Sequence, residues 1–248
     1  MNSDKKAIRE SVAAGMRKMM FSASTTSEYV EKAALSELLS MDALLSREQE
    51  IRTVSRRTRL IKSAGFPTLK SFDGYDFTGI LFPNLLDRNK MLSLDFIKEH
   101  RTLVFYGGCG SGKTHAMTAL GAAACGNDYR VKFYTLSSLV MMLKNAKALN
   151  TLERTYRMIS SAGLLCLDEF GYLPLDMESG QLLFNVISNA YEKQALIITT
   201  NLAFNDWGPL FADDQLAAAI IDRLVHYGHL IKTGNRDWRL EHSLMIDK

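Results

Sequence analysis

The residues Gly107-Gly108-Cys109-Gly110-Ser111-Gly112-Lys113-Thr114 fit the pattern G-x-x-x-x-G-K-S/T without a mismatch. An apolar run, Thr102 to Tyr106, precedes them, and a helix-like segment, His115 to Leu120, follows. Strand, glycine loop and helix are the context in which this pattern binds phosphate. Glycines let backbone N–H groups curl around a β-phosphate, and the helix N-terminus adds partial positive charge. Lys113 would reach the β- and γ-phosphates, and the Thr114 hydroxyl would ligate Mg²⁺. The expected ligand is a nucleoside triphosphate, held by Gly107 through Thr114 with His115 directly after.

Two further segments supply what hydrolysis needs. Leu164 to Glu169 is an apolar run closing on consecutive carboxylates, Asp168 and Glu169, about fifty residues beyond the loop. In phosphoryl-transfer sites an acid so placed holds the Mg²⁺ shell, and its neighbour can polarise a water aimed at the γ-phosphate. A strand-end Asp-Glu is weak in isolation and gains weight from the phosphate loop. Leu196 to Thr200 is another apolar run, ending at Asn201. If that strand lies between the first and third, Asn201 reaches the γ-phosphate; otherwise it only makes a turn. Arg223, near the end of the amphipathic segment Ala217–His226, either solvates its helix or projects into a neighbouring subunit's nucleotide as an arginine finger.

These residues need strands to carry them, and the pattern from Asp87 onward alternates helix and strand. Strands are expected at 102–106, 131–134, 164–167, 196–200 and 230–232, with helices at 86–100, 137–147, 178–193 and 215–226. Short apolar runs separated by amphipathic helices indicate a five-stranded parallel sheet covered on both faces, an α/β fold binding ligands at the strands' carboxyl ends. The first 66 residues lack strand signals and read as a small all-helical N-terminal domain. The boundary is expected in the aromatic- and turn-rich stretch 65–77, giving domains 1–66 and 67–248. A helix should begin near Ser40-Met41-Asp42 and stop at Gly65, with Leu44, Ile51, Val54 and Ile61 facing a core. An earlier helical face runs from Ser27 to Leu39, through Val30, Ala33, Ala34, Leu38 and Leu39.

Within the longer helix Arg52, Arg56, Arg59 and Lys62 recur at i, i+4, i+7 and i+10. Between Arg47 and Lys62 there are six basic residues against two acidic ones. The bland alternative is a solvated face; the one-signed stripe suggests a surface for DNA phosphates. The net charge of +3 is weak by comparison. Composition is ordinary for a globular chain of 248 residues, 47% apolar and 23% charged. Three scattered cysteines give neither a disulfide framework nor a zinc site. Without an apolar leader or a run of 18 apolar residues, no membrane partner is expected, and the expected location is cytoplasmic and nucleoid-associated.

Taken together, Gly107–His115, Leu167–Pro174, Thr199–Leu202 with Trp207, and Leu216–Leu224 resemble the IstB-like transposition helper ATPases of the AAA+ superfamily. These are relatives of the DnaC-type helicase loaders. The resemblance runs from about Leu35 to Arg239, including the basic helix and the Phe72–Phe77 stretch. Gly171-Tyr172-Leu173-Pro174 after the two acids is its most specific part, since a generic ATPase has no need of it. The resemblance implies an ATP- and Mg²⁺-dependent homo-oligomer on duplex DNA, with nucleotide at subunit interfaces, that recruits and regulates the transposase of the same element. It matches Lys113 and Thr114 to Walker A, Asp168 and Glu169 to Walker B, Asn201 to sensor 1 and Arg223 to the finger. The chain departs from the family at Gly108 and Cys109, where prolines are usual. With 25 residues after Arg223, no C-terminal lid domain is expected. Arg236 and Arg239 are then the late candidates for a lid arginine. A helicase loader acting in replication is the near alternative. A small-molecule kinase would leave the basic helix unexplained and has less use for Glu169, and a non-hydrolysing scaffold has none.

Overall fold

A computed structural model describes residues 2–172, 174–211, 213–234 and 236–241. The chain divides into two compact units, Met1–Arg59 and Leu60–Lys248.

The first unit holds α1 (Asn2–Lys18), α2 (Ala23–Lys32) and most of α3 (Leu35–Ala64). Its core is small: Val12, Met16, Ala33, Leu38 and Leu45 are buried together. The helical face expected over 27–39 is interrupted, because Ala33 is extended and α3 starts afresh. Glu37 reaches back to accept from Ala34 N at 2.7 Å, one half of a capping box, which makes 34 a helix start. Ser40 and Asp42 therefore lie inside the helix, Ser40 Oγ donating to Ser36 O and Asp42 accepting from Ser11 Oγ. The expected core stripe on α3 is also corrected: Leu44, Ile51 and Val54 are 64%, 50% and 64% exposed. Leu38, Met41 and Leu45 face the core instead. Periodicity finds an apolar face but cannot say which of two the neighbouring helix covers.

The helix does stop at Ala64, before Gly65, and the break between units falls inside α3 rather than in the stretch 65–77. The reason is packing: Leu60, Ile61 and Ala64 join the core of the second unit.

That unit is a five-stranded parallel sheet of order β2-β3-β4-β1-β5. The strands are β1 (Thr102–Tyr106), β2 (Val131–Thr135), β3 (Leu164–Phe170), β4 (Ala195–Thr200) and β5 (Gly228–Lys232). Alternation sends successive side chains to opposite faces. Val104, Leu165, Leu167, Leu196 and Ile198 enter one apolar layer, and Leu103, Phe105, Leu164, Cys166 and Ile197 the other. The helix expected at 86–100 is two short ones, α4 (Arg88–Leu92) and α5 (Asp95–Lys98), separated at Leu94 (φ 63°), whose side chain is buried. The strands are joined by α6 (Lys113–Gly126), α7 (Leu136–Ala148), α8 (Leu152–Ser160), α9 (Met177–Ala190), α10 (Gly208–Phe211) and α11 (Asp214–His226). Helix α8, absent from the sequence-based expectation, buries Tyr156 and Ile159. After β5 the described residues carry α12 (Trp238–Glu241). Among the described residues no helix is long and apolar enough to cross a membrane.

Candidate nucleotide site

The strand order sets β4 between β1 and β3, so three candidate segments leave the same end of adjacent strands. Gly107–Gly112 joins β1 to α6, Asp168 and Glu169 lie near the end of β3, and Asn201 follows β4. Gly107 N donates to Thr200 O, tying the loop to the end of β4.

Inside the loop, Gly112 has φ 85°, a conformation that favours glycine, and the Tyr75 ring lies directly against it. Lys113 Nζ donates to Gly107 O at 2.8 Å and Gly108 O at 2.6 Å, holding the ammonium where phosphates would sit. Burial pushes the Lys113 pKa below the ordinary lysine value. Ser111 Oγ donates to Gly108 O. Cys109 is exposed and Gly110 half-buried.

Thr114 Oγ1, in the first turn of α6, donates to Asp168 Oδ1 at 2.9 Å. Asp168 is 4% exposed and its carboxylate also accepts from Thr199 Oγ1. A hydroxyl beside a buried carboxylate is an oxygen donor pair that suits Mg²⁺. Glu169 follows with φ 60°, unusual for a residue with a side chain, and its N–H donates to Thr199 Oγ1 at 3.1 Å. One threonine thus fixes both acids. Glu169 is exposed and lines an open groove of about 410 Å³ between α7 and the segment leading into α9, with Met141, Lys144 and Tyr172. Phe170, the next residue, is buried and stacks on Trp207 at 4.5 Å. That stack gives the resemblance's Trp207 a physical role, anchoring the strand end that carries the acids. Gly171 adopts φ 100° with Leu202 packed against it; Leu173, in the same motif, lies outside the described residues.

Two features carry no role in the sequence-based reading. Thr199 is one of two buried hydroxyls, with Thr200, that close an otherwise apolar strand, and nothing local in the sequence distinguishes it. The stretch 65–77 looked like a connecting loop, yet Phe72, Tyr75 and Phe77 pack their rings together and Tyr75 meets the His115 ring at 4.9 Å. Tyr75 OH donates to Gly112 O at 3.3 Å, and its pKa is pushed up to about 12 by burial and then by Asp76. His115 Nε2 lies 2.6 Å from Ser71 O.

Lys113, Thr114, Asp168 and Glu169 are thus brought together, and exposed Asn201 leaves the adjoining strand. Arg223 is not brought to them. It lies on α11, its Nη1 donating to Ala219 O and its guanidinium 4.7 Å over the Phe184 ring. It lines a small cleft with Thr102 and Leu196, where β1 and β4 begin, away from the phosphate loop. Arg52, Arg56, Arg59 and Lys62 are all exposed on α3, with Arg52 paired to Glu48 at 2.7 Å.

The family model described as "IstB-like ATP binding protein" matches residues 11–245. An insertion sequence IS21 ATP-binding protein of Pseudomonas aeruginosa is 38% identical over 184 residues, covering 73% of this chain and 68% of that one. The corresponding IS5376 protein of Geobacillus stearothermophilus is 34% identical over 216 residues, covering 85% of each. Among solved structures, the DnaC helicase loader is similar with a TM-score of 0.51 at 19% identity, over 65% of this chain and 95% of that one. DnaI gives 0.52 at 16% identity, over 68% and 89%. At such identities the likeness concerns fold alone, and that fold is the AAA+ P-loop core. With its phosphate loop, buried Asp168 and β4 between β1 and β3, the chain belongs to the IstB-like ATP-binding proteins, the family of the IS21-type insertion sequences.

Proposed function

We propose that this chain hydrolyses ATP as a transposition helper, assembling as a homo-oligomer on duplex DNA and recruiting and regulating the transposase of its insertion sequence. The observation that carries the catalytic part is the linkage of Thr114, Asp168 and Glu169 through Thr199. Thr114 and Asp168 would hold a Mg²⁺ ion, which would supply positive charge to offset that of the phosphates. Lys113, released from the Gly107 and Gly108 carbonyls, binds the phosphate oxygens. Glu169 takes the proton of the attacking water, and Asn201 orients that water. The water oxygen bonds to the γ-phosphorus as its bond to the β–γ bridging oxygen breaks and ADP leaves, so hydrolysis removes the group to which a neighbour's Arg223 would bond. ATP then times the assembly's lifetime.

Arg223 supports a shared site by its position: half-buried near the starts of β1 and β4, it cannot serve its own chain's phosphate loop from there. Exposed Arg52, Arg56, Arg59 and Lys62 support DNA binding through phosphates, without base readout. The location that fits is the cytoplasm, on the nucleoid. The insertion-sequence relatives favour transposition over helicase loading.

The test is ATP turnover with and without DNA, across protein concentration and salt. Stimulation by duplex DNA with steep dependence on protein concentration is the expected result. Concentration-independent turnover would remove the trans-acting Arg223, and a preference for single-stranded DNA would favour the loader.

A further inference from the structure

Described residues after β5 lie on the chain's own phosphate loop. Thr233 Oγ1 is 2.7 Å from Ser111 Oγ, and Gly108 N donates to Gly234 O at 3.2 Å. Farther on, Trp238 N donates to Gly110 O at 3.3 Å. Between these contacts the Asp237 carboxylate is set against Gly110 so closely that a Cβ there would overlap Oδ1 and Cγ. Asp237 and Arg239 of the same run are both near enough to Lys113 to act on its charge, in opposite senses.

One residue of the run closes it on itself and ties it to the segment 65–77. Arg236 Nε donates to both oxygens of Glu241, at 2.9 and 2.7 Å, and Arg236 Nη1 bonds Asp76 Oδ2 at 3.1 Å. Asp76 adjoins Tyr75, whose hydroxyl reaches Gly112 O. One arginine therefore latches the C-terminal strap to the aromatic wall on the other flank of the loop.

A phosphate loop works by offering backbone N–H groups and a lysine to an anion. Here an anionic side chain of the same protein already sits against Gly110. A triphosphate entering the loop meets that carboxylate at close range and in a partly buried setting, where like charges repel more strongly than in water. We propose that residues 236–241 are an autoinhibitory strap: Asp237 occupies the mouth of the phosphate loop, Arg236 latches it, and nucleotide must displace it to bind. The latch is built of solvent-exposed ion pairs, which hold weakly, so nucleotide binding can open it. The inference rests on nucleotide binding at this loop.

A strap seated most of the time lowers apparent affinity by the fraction of open protein. Arg236→Ala separates this from simple electrostatics. Removing a positive charge near a polyanion site should weaken ATP binding through space, whereas releasing the strap should tighten it. Equilibrium binding of a fluorescent ATP analogue to the full chain is expected to tighten about 3–10-fold in Arg236→Ala and in Asp237→Asn. The second reporter is Trp238, 55% exposed, against a background from fully buried Trp207. Saturating ATP should raise acrylamide quenching of tryptophan emission, and the increase should vanish in Trp238→Phe. Unchanged or weaker binding by Arg236→Ala, even with tighter binding by Asp237→Asn, would overturn the strap, as would quenching that ATP leaves unaltered. Lys113→Ala keeps the two levels apart. If it loses nucleotide while Arg236→Ala matches wild type, the site stands and the strap falls. If it binds like wild type, the phosphate-loop assignment fails and the strap with it.

Discussion

The Thr199 hydroxyl on β4 donates to the Asp168 carboxylate on β3 while accepting the backbone N–H of Glu169. A single side chain from the central strand orients both acids. Thr199→Val, nearly the same shape, leaves Glu169 N without its acceptor in a part-buried position and Asp168 with Thr114 Oγ1 but not the second hydroxyl donor. Such supporting bonds to metal ligands are worth about 10–100-fold in metal affinity or activity. The expected outcome is a higher Mg²⁺ requirement and slower turnover in a Mg²⁺ titration, with rescue by Thr199→Ser. A normal Mg²⁺ curve for the valine variant would deny Thr199 this role.

Glu169 has an exposed side chain and φ 60°, a conformation that costs about 1–3 kcal/mol and persists where surrounding structure imposes it. Glu169→Gln keeps the shape and removes the base. It should bind ATP and DNA normally while turnover falls by about 10²–10⁴-fold. Single-turnover hydrolysis at the wild-type rate would take Glu169 out of the chemistry.

Lys113 gives a pH signature in two directions. Burial holds its pKa below the ordinary 10.5, so the folded state binds fewer protons than the unfolded one between those values. Stability of the nucleotide-free protein should therefore rise with pH across that window, because the unfavourable buried charge is lost. ATP affinity should fall across the same window as the ammonium is neutralised. Denaturant titrations and nucleotide binding at matched pH measure both, and Lys113→Met should flatten both.

Reversing Arg52, Arg56 and Arg59 to Glu tests the exposed stripe on α3. Each lost phosphate contact should reduce the slope of log affinity against log salt by about 0.9 on duplex DNA. Weaker binding with a shallower slope is expected; an unchanged slope would make the stripe an ordinary solvated face.

Trp207 is fully buried, stacked on Phe170 and edge-on to Phe204. Trp207→Ala should cost about 3–5 kcal/mol in denaturant unfolding, with a smaller loss for Trp207→Phe. Because Phe170 directly follows the two acids, the alanine variant should also lose turnover at temperatures where it is still folded. Full activity would show that the stack serves stability alone.

The strands were readable because each is a short apolar run with a turn at its end, and the phosphate loop because its spacing is rigid. What escaped the sequence depends on partners. Thr199 matters only once β4 slides between β1 and β3, which no local pattern states. Tyr75 looks like a turn aromatic until the chain returns it to Gly112. On α3 the stripe of Leu44, Ile51 and Val54 has good helical spacing, yet α1 covers the face of Leu38 and Leu45. Arg223 could be assigned to a helix by its neighbours, but its distance from the phosphate loop needed the sheet order.

That order also governs what a ribosome releases. β1 and β3 emerge before β4, the strand that must separate them, so each presents an edge of unpaired backbone N–H and C=O groups in the meantime. At ordinary elongation rates the interval between completing Tyr106 and completing Thr200 is about 5–20 s. For nearly all of it the nascent chain carries its phosphate loop but lacks Thr199. Until Thr199 arrives, Asp168 and Glu169 lack the hydroxyl that orients them, and the bare edges depend on chaperones or on speed.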